Sequence, residues 1–527
     1  MLPLIPFPND IKQLDNTVCF SNYKIEADEN FKKSLFKFEN ELNEKLNKNE
    51  NDTCYTFKFV QNPKLNKEHY VVNFNENECV VFAKSQVGCF YATRTLAQLL
   101  KLNTANKLDS LCAPSVFIED RPRFKHRSFM VDEVRHFFGI DEIKKIIDLM
   151  SDLKFNYFHW HLSDDQGFRI NFKEFKALKD IASKRSKTKI NSIEGEDYDN
   201  TPYEYCYEVK QIKEIIKYAK ERFIEIIPEI DIPGHTTAIV AAYPELHCFN
   251  RQNEVGTGFG VFYDIMCPGK EQTYIFCKKL LKELCLLFKD SKYIHIGGDE
   301  VNPKNWNECP DCTKKAKELN LDNNLLLQAH FMNEMTSYLH SLNKKVITWH
   351  DGVYANTDPK TIMQYWTWEM HKPSIEQINN GRTTIYSPCS QFYFNDPYAE
   401  LPLKTTYCKK ITLDGLTRKG LSNIFAIEGC IWTEWVDSNE LLEVLIIPRV
   451  QALAEKAWTK NKNLNFKDFL NRLEAHHEYL DYKNFAYASN KLALAQGKKY
   501  REKVAKSFRG NDKKVEFKLY LKQKNKQ

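Results

Sequence analysis

The chain contains 527 residues, of which 42% are hydrophobic and 13% are aromatic. This composition is sufficient to bury a large core, so a mainly disordered or fibrous protein is excluded. The 76 basic and 70 acidic residues give a net charge of +6. The segment 498–527 alone holds 12 basic and 3 acidic residues, so the rest of the chain is slightly acidic. A basic nucleic-acid-binding surface is therefore not expected.

The ends of the chain give little information about its location. No apolar run approaches the roughly 20 residues that a membrane-spanning helix needs, so we expect no membrane span. The N-terminal segment MLPLIPFPND has neither a basic start nor a long apolar stretch, so no secretory signal is expected in this chain. The compartment stays open between an intracellular protein and a lysosomal or secreted one whose leader was removed. The sequence also leaves open whether the protein forms a homodimer.

The cysteines allow several interpretations. There are 15 of them, an odd number, so at least one cannot pair within the chain. Cys309 and Cys312 form the one closely spaced pair, which is compatible with a small disulfide, half of a zinc site or two free thiols. Because no second pair of this kind and no nearby histidine pair occurs, we expect no metal at this position.

The order of apolar runs predicts the fold. Residues 1–120 contain strand-like runs such as YTFKFV and YVVNF and the helical stretch GCFYATRTLAQLLKL, which indicate a small α/β domain. Over 121–460, eight short apolar runs alternate with helical patterns and predict a (β/α)8 barrel. An open doubly wound sheet is the alternative, although no GxGxxG follows a first strand. Residues 461–527 are predicted to form a helical, Lys-rich C-terminal extension. The eight runs are SFMVD (128–132), FNYFHW (155–160), IEIIPEI (224–230), YIHIG (293–297), KVITW (345–349), TIMQYW (361–366), TTIYS (383–387) and NIFAIEG (423–429).

Polar and aromatic side chains follow nearly every one of these runs. In a barrel these positions meet on one rim, where the active site is built. Carboxylates beside tryptophans suit a sugar, because indole rings stack on its C–H faces and carboxylates bind its hydroxyls. In chain order the segments after the runs are Asp132–His136, His161–Asp165, Asp231–His235, Gly297–Glu300, Trp349–Asp351, Trp366, Tyr393–Asn395 and Trp432–Glu434.

Asp299 and Glu300, two adjacent carboxyls, are the most informative feature of this rim for predicting catalysis. Two adjacent carboxyls in one partly desolvated cavity should raise the pKa of one of them, and we predict Glu300 as the resulting general acid. A bare acidic loop is the alternative interpretation. His159 and His161 face the same side of a strand and could form a metal pair, but packing or hydrogen bonding is favoured.

Four segments together resemble a known family. HRSFMVDEVRHFFGIDEIKKIIDLMSDLKFNYFHWHLSDDQGFRI, IHIGGDEV, PEIDIPGHT and IWTEW are similar to motifs of the β-N-acetylhexosaminidases of glycoside hydrolase family 20. The resemblance implies a (β/α)8 catalytic barrel preceded by a small α/β domain, with no metal or organic cofactor. It also implies that Glu300 is the proton donor and that Asp299 orients the substrate's 2-acetamido group, whose oxygen acts as the nucleophile.

The resemblance further assigns the residues around the sugar. Arg127 matches the arginine that binds the 3- and 4-hydroxyls, and Glu434 matches the partner of the 4- and 6-hydroxyls. The remaining matches are Trp349, Trp366 and Trp432 as aromatic walls, Tyr393 as a donor to the acetamido oxygen, Asn395 at a position where the family has Asp or Asn, and Asp164 and His235 as supports of the acid. Asp351 is a departure, because many relatives have Glu there, and the Asn395-Asp396 pair leaves open which side chain meets the sugar.

These observations predict an exo-acting retaining hydrolase that removes terminal β-linked N-acetylhexosamine from glycoproteins, chito-oligosaccharides or glycolipids. The sequence does not decide between GlcNAc and GalNAc. An inactive sugar-binding protein on the same scaffold is the main alternative, since a fold alone does not give a function. A metal-dependent hydrolase built on His159 and His161 is a weaker third hypothesis.

Overall fold

The computed structural model describes residues 2–191, 193, 195–495, 518, 520 and 521. A six-stranded sheet with its helices is followed by a closed barrel of eight parallel strands. The prediction of a (β/α)8 barrel preceded by a small α/β domain is therefore confirmed, and the open doubly wound sheet is wrong. Among the described residues, no helix has the length and apolar character needed to cross a membrane.

The first domain is a mixed sheet covered by two helices, Lys32–Lys45 and Gln86–Leu99. The strand that contains YTFKFV alternates buried and less buried positions, as a strand with one face on a core does. Phe57 of this strand packs against Phe38 of the first helix, with ring centroids 5.6 Å apart. In sheet order the strands are Asp10–Phe20, Leu111–Asp120, Tyr70–Phe74, Glu78–Ala83, Tyr55–Gln61 and Tyr23–Ala27. A disulfide between Cys19 and Cys112 joins the first two of these strands.

Each of the eight predicted apolar runs overlaps one strand of the barrel. Every strand pairs in parallel with its neighbours, and the last strand pairs with the first to close the barrel. Parallel pairing places all eight carboxyl ends, and the loops that follow them, on one rim. In chain order the strands are His126–Asp132, Tyr157–His161, Glu225–Glu229, Tyr293–His295, Lys345–Trp349, Ile362–Tyr365, Thr384–Tyr386 and Ile424–Ile431.

Helices connect the strands on the outside of the barrel. Helix Gly139–Asp152 is typical, because it buries Ile143, Ile146, Ile147 and Met150 at helical spacing. The other helices between 200 and 460 are Val209–Glu221, Thr237–Ala242, Glu271–Leu287, Lys304–Glu308, Pro310–Glu318, Leu327–Ser341, His371–Asn379, Cys389–Phe392, Leu403–Cys408, Arg418–Ser422, Asn439–Ile446 and Arg449–Trp458. The loops also contain the short strands Ser163–Asp164, Gly167–Phe168, Ile170–Asn171, Lys184–Arg185, Tyr203–Glu204 and Tyr207–Glu208.

The side chains inside the barrel form two layers of opposite character. The lower, apolar layer consists of Ile227, Tyr293, Ile347, Ile362, Ile385 and Ala426. Two residues further along most of these strands, side chains again point inward, and there they are polar. We call this second set the polar layer; it consists of the fully buried residues His159, Glu229, His295, Trp349, Gln364 and Glu428. The polar layer lies toward the carboxyl ends of the strands and therefore beneath the predicted site.

The described part of the C-terminal extension is helical and packs on the core. Helix Phe466–Tyr482 carries Arg472, whose Nη1 and Nη2 lie 2.6 and 2.7 Å from the carboxylate oxygens of the buried Glu455. Nη1 also donates to the backbone carbonyl of Leu4 at 2.7 Å, so this helix connects the barrel to the start of the chain. A short helix follows at Asn490–Ala493. Apart from residues 518, 520 and 521, the Lys-rich end lies outside the described residues.

Arg127 connects the two domains at the amino end of the first barrel strand. Its guanidinium donates to Glu68 at 3.1 Å and to the Tyr91 hydroxyl at 2.9 Å, and both acceptors belong to the first domain. Its Nε donates to the backbone carbonyl of Lys154 at 2.8 Å. With a residue exposure of 1%, Arg127 is a buried interdomain anchor.

Replacing Arg127 with Met should destabilise the protein, because Glu68 would lose its cationic partner in a poorly hydrated site. We expect the free energy of unfolding to fall by about 3 kcal/mol, measured by denaturant titration. Arg121→Met is the control, because the residue at 121 is exposed and should leave stability unchanged. Equal stability of the two variants would contradict the role assigned to Arg127.

Candidate active site

Two glycines place Asp299 and Glu300 above the polar layer. Gly297 has a φ of +60°, and a Cβ at this position would lie 1.8 Å from Oδ1 of Asp231, so no other residue permits this approach. Oδ1 of Asp231 in turn accepts a hydrogen bond from the backbone N–H of Gly298 at 2.9 Å. The loop after the fourth strand is therefore held against the loop after the third, and Asp299 is brought beside Asp231.

Asp299 and Asp231 form a buried carboxyl pair. Burial and the neighbouring charge of Asp231 raise the pKa of Asp299 well above its ordinary value. Burial likewise raises the pKa of Asp231. Because two like charges at close range cannot both ionise easily, one proton is shared by the pair. Oδ1 of Asp299 is buried and has no hydrogen-bond partner among the described residues, so it keeps an unfilled acceptor position.

Glu300 lies in a different environment from its neighbour. Its side chain is 36% exposed, and its Oε2 lies 3.4 Å from Nε2 of His235. Burial acts to raise the pKa of Glu300, but the hydrogen bond and positive charge of His235 outweigh it and lower the pKa. The prediction that Glu300 itself carries the raised carboxyl pKa is therefore wrong, because the raised value belongs to Asp299. Glu300 and His235 both adopt left-handed backbone conformations, with φ of +50° and +49°.

An ion-pair contact with His235, followed by a chain of hydrogen bonds, connects Glu300 to the inside of the barrel. Nδ1 of His235 lies 3.1 Å from Oδ1 of Asp164, and Oδ2 of Asp164 lies 2.9 Å from Nε2 of His161. Nδ1 of His161 lies 2.6 Å from the carboxylate of Glu229. Burial alone would lower the pKa of His235, but the charge and hydrogen bond of Asp164 raise it well above its ordinary value. His235 therefore holds a proton directly beside Glu300.

The structure corrects the predicted arginine. Arg127 lies at the opposite end of the first strand from this site, so it cannot contact a sugar held by Glu300. Arg135, three residues after the end of the same strand, occupies the rim instead. Its Nη2 lies 2.7 Å from Asp164, its Nε donates to Gln166 at 2.9 Å, and its Cζ lies 5.1 Å from the ring centroid of Trp432.

The three predicted tryptophans and Tyr393 form one aromatic group. Trp349 is fully buried, and its Nε1 donates to Glu229 at 2.9 Å. Trp432 lies 5.7 Å from Trp349 and 6.1 Å from Tyr393, measured between ring centroids. Trp366 is half-buried and parallel to Tyr393, with an interplanar angle of 6°. Such walls suit the apolar faces of a sugar ring.

The other predicted residues lie at the same rim. Burial raises the pKa of Tyr393 well above its ordinary value, and the charge of Asp299 contributes to the shift, so the phenol stays a neutral donor near that carboxyl. Oδ1 of Asn395 is buried and has no hydrogen-bond partner among the described residues. Glu434 is half-buried, and its charge is one of those that hold the pKa of Arg135 well above its ordinary value against the effect of burial.

Asp351, which stands where many relatives have Glu, has a clear structural role. Its Oδ2 accepts a hydrogen bond from the backbone N–H of Glu300 at 2.8 Å, and its Oδ1 accepts one from Nε1 of Trp366 at 3.0 Å. The shorter acid thus joins the acidic loop to an aromatic wall. Sequence reasoning missed this role and those of Arg135 and Asp231, although all three stand in segments that directly follow barrel strands.

His159 and His161 are held by carboxylates. Nδ1 of His159 lies 2.8 Å from Glu428, and its Nε2 lies 3.0 Å from Glu229. Burial acts to lower both imidazole pKa values. Glu428 and Glu229 nevertheless raise the pKa of His159 to about 9, and Glu229 and Asp164 raise the pKa of His161 to about 10. An imidazolium has no lone pair to offer a metal. The arrangement supports the hydrogen-bonding interpretation of this pair.

Comparison with protein families agrees with the geometry. A family model described as "Glycosyl hydrolase family 20, catalytic domain" matches residues 124–461, and one described as "Glycosyl hydrolase family 20, domain 2" matches residues 1–121. The chain belongs to glycosyl hydrolase family 20. The family resemblance carried by the four sequence motifs is thereby confirmed.

Several proteins named as hexosaminidases are similar to this chain over most of its length. A beta-hexosaminidase of Porphyromonas gingivalis is 32% identical over 78% of this chain, and one of Vibrio furnissii is 31% identical over 75%. The matched regions span 53% and 66% of those two relatives. A family 20 exo beta-N-acetylglucosaminidase from Vibrio harveyi, solved in complex with N-acetylglucosamine, has a TM-score of 0.81 at 27% identity and covers 93% of this chain and 78% of its own. A beta-N-acetylhexosaminidase from Bacteroides fragilis has a TM-score of 0.77 at 28% identity and covers 92% of this chain and 96% of its own.

Replacing Asp299 with Asn should stabilise the protein at neutral pH. An acid whose pKa is raised on folding takes up a proton on folding, so its contribution is fully present below the unfolded pKa of about 4 and is lost as the pH rises through the raised folded value. The neutral amide removes this loss, and we expect Tm at pH 7 to rise by about 2 °C or more.

The difference in Tm should shrink as the pH falls toward 4, which differential scanning calorimetry can follow. Asp322→Asn at an exposed position is the control and should leave Tm unchanged. A lower Tm for the Asp299 variant at pH 7 would show that the carboxyl pair is not destabilising.

Proposed function

We propose that this family 20 chain is an exo-acting retaining β-N-acetylhexosaminidase that removes terminal non-reducing β-linked GlcNAc or GalNAc from glycans. The observation that carries the proposal is the pair Asp299 and Glu300, whose carboxyls lie in different environments within one aromatic-walled rim. The names of the similar relatives support the same activity. Both carboxyls are in place, so no observation favours an inactive sugar-binding protein.

Glu300 acts as the general acid, with His235 as the reserve of its proton. In the free site the pair holds a proton mainly on the imidazole, which explains the low pKa of Glu300. A bound sugar covers the exposed third of the Glu300 side chain and removes water from the pair. Because an ion pair is disfavoured in a dry site, the proton then moves toward the carboxyl, next to the departing oxygen.

Asp299 positions the acetamido group of the substrate. Adjacent carboxyls on one loop are poorly placed to attack from opposite sides of the anomeric carbon, so an internal nucleophile fits this geometry better. The unpartnered Oδ1 of Asp299 accepts the acetamido N–H, and the Tyr393 hydroxyl donates to the acetamido oxygen. The carboxyl pair of Asp299 and Asp231 shares one proton and so keeps one negative charge, which stabilises the positive charge that develops on the ring-closed intermediate.

The bond changes balance in two steps. In the first, the acetamido oxygen bonds to C1, the glycosidic C–O bond breaks, and the leaving oxygen takes the proton from Glu300. In the second, Glu300 takes a proton from water, the water oxygen bonds to C1, and the acetamido oxygen leaves. Two successive displacements at C1 give net retention of the β configuration.

The sugar hydroxyls are bound by the rest of the rim. Arg135 replaces Arg127 in the proposal as the donor to the 3- and 4-hydroxyls, because a guanidinium fork suits two adjacent oxygens. Glu434 accepts from the 4- and 6-hydroxyls, and Asn395 offers its free Oδ1 beside them. Trp349, Trp366 and Trp432 enclose the ring and the acetamido methyl group. Terminal residues of glycoproteins, chito-oligosaccharides and glycolipids all present these groups.

Glu300→Gln should lower turnover of a β-linked GlcNAc disaccharide by about 100-fold or more, because the amide keeps the shape of the side chain but cannot give up the proton. The loss should be smaller for an aryl glycoside whose leaving group needs no protonation. Glu308→Gln, at an exposed position in the same loop, is the control. Equal activity of the Glu300 variant on the disaccharide would refute the assignment.

A thiazoline that mimics the ring-closed intermediate should bind at least about 100-fold more tightly than free GlcNAc, as analogues of a stabilised intermediate do. Asp299→Asn should lower turnover and reduce this advantage, because the amide stabilises the positive ring less well. Inhibition constants for both ligands on both proteins provide the measurement. A thiazoline that binds no better than GlcNAc would show that the acetamido group is not the nucleophile.

A further inference from the structure

Four cysteines distant in sequence meet beside the acidic loop. Cys248 and Cys267 belong to the loop after the third strand, and Cys309 and Cys312 follow Glu300 in the loop after the fourth. All four are buried, and their Sγ atoms lie within 4.8 Å of one another. We call them the cysteine cluster. Cys309 and Cys312 are the closely spaced pair seen in the sequence, and the structure supplies two further thiols to it.

The distances within the cysteine cluster fit ligands of one ion. Sγ of Cys267 lies 3.7 Å from Sγ of Cys309 and 3.4 Å from Sγ of Cys312. A disulfide requires about 2.05 Å between sulfurs, so these contacts are not bonds. In a regular tetrahedron with zinc–sulfur bonds of about 2.3 Å, the sulfurs lie about 3.8 Å apart. The observed separations are close to that value.

The surroundings of the cysteine cluster are apolar and closely packed. Ile265, Trp306, Ala316 and Leu327 form one buried cluster with the four sulfur-bearing residues. Nε1 of Trp306 donates to the backbone carbonyl of Met266 at 2.9 Å and so closes this shell. Thiolates need a strong electrostatic partner in such a dry place, and a divalent cation provides it.

The backbone is shaped to bring the two loops together. Cys309 is the N-cap of helix Pro310–Glu318, so its thiol and that of Cys312 in the first turn point to the same side. The other loop passes directly over this turn, since a Cβ on Gly269 would lie 2.3 Å from the backbone nitrogen of Cys312. The close approach makes glycine necessary at this position and holds Cys267 over the helix start.

We propose that the cysteine cluster binds one Zn²⁺ as a closed structural site with four thiolate ligands. Four sulfur ligands in a tetrahedral arrangement select zinc among common divalent ions, and a site with no open position is structural. Each thiol that binds releases its proton, so zinc affinity falls at acidic pH. The sequence-based expectation of no metal at Cys309 and Cys312 is replaced by this proposal.

The proposed zinc acts as a cross-link between two loops of the active site. One loop carries Asp231 and His235 upstream of Cys248. The other carries Asp299 and Glu300, which lie ten and nine residues before Cys309. Joining the cysteine-bearing parts of the two loops restricts how the loops move relative to each other. Four thiolates leave no open coordination position on the zinc for a substrate, so it has a positioning role and takes no part in bond breaking.

The test is the metal content of the whole purified chain, which does not depend on the proposed hydrolase activity. Protein produced with zinc in the medium should contain about one zinc per chain by elemental mass spectrometry. Replacement by Co²⁺ should give the visible absorption bands of a tetrahedral thiolate site. Protein without zinc, or zinc without thiolate bands after cobalt exchange, would overturn the proposal.

A matched pair of variants locates the site. Cys309→Ser combined with Cys312→Ser should lose the zinc and lower Tm by several degrees. Cys277→Ser removes an equally buried thiol outside the cysteine cluster and should keep one zinc. Peptide mapping under non-reducing conditions tests the competing arrangement, and two disulfides among the four cysteines would refute the zinc site.

Discussion

The carboxylate of Glu229, buried at the centre of the polar layer, supports the whole site. It contacts the imidazoles of His159, His161 and His295 and the indole of Trp349, all at 2.6 to 3.0 Å. Burial alone would favour its neutral form, yet the nearby imidazoles hold its pKa well below the ordinary value, so it stays charged. A buried charge of this kind is costly unless its oxygens are paired. Here one oxygen of Glu229 hydrogen-bonds Nε1 of Trp349 and the other hydrogen-bonds His161, and each also has a further imidazole nitrogen within 3.0 Å. These contacts join side chains on barrel strands, so they fix the orientation of the polar layer independently of the loops.

The pKa values of Asp299 and Glu300 at the rim differ because their contacts with the groups beneath and beside them differ. Through His161 and Asp164 the network reaches His235, which holds a proton beside Glu300. On the other side, Asp231 provides a second carboxyl to Asp299. Nε2 of His235 lies 3.8 Å from Oδ2 of Asp299, but burial and the charge of Asp231 outweigh this cation and raise the pKa of Asp299. Two neighbouring acids of one short loop are thus driven in opposite directions, one toward ionisation and one toward protonation. The proposed mechanism reverses both tendencies when substrate binds, because the proton moves from His235 to Glu300 and negative charge is needed on Asp299 beside the ring-closed intermediate.

The sequence predicted the eight strands and most of the rim because both depend on local patterns. Short apolar runs mark buried parallel strands, and their carboxyl ends must converge. The same rule favours Arg135, which follows the first run, over Arg127, which lies near its start; the motif match alone selected the wrong one. The pKa assignment failed because the partners of Asp299 and Glu300 come from another loop. Cys248 and Cys267 could not be paired with Cys309 for the same reason, since their linear spacing follows no recognised pattern.

The left-handed backbone at both His235 and Glu300 affects which residues are favoured at these positions when stability is selected. A residue with a Cβ pays about 1 to 3 kcal/mol in that conformation, and the surrounding hydrogen bonds must offset it. A chain optimised for folding alone would place glycine or asparagine at these two corners. Glu300, the proposed proton donor, and His235 beside it are thus positions where stability and the proposed chemistry favour different residues. Selection for heat resistance alone would replace these two residues and remove the proposed acid.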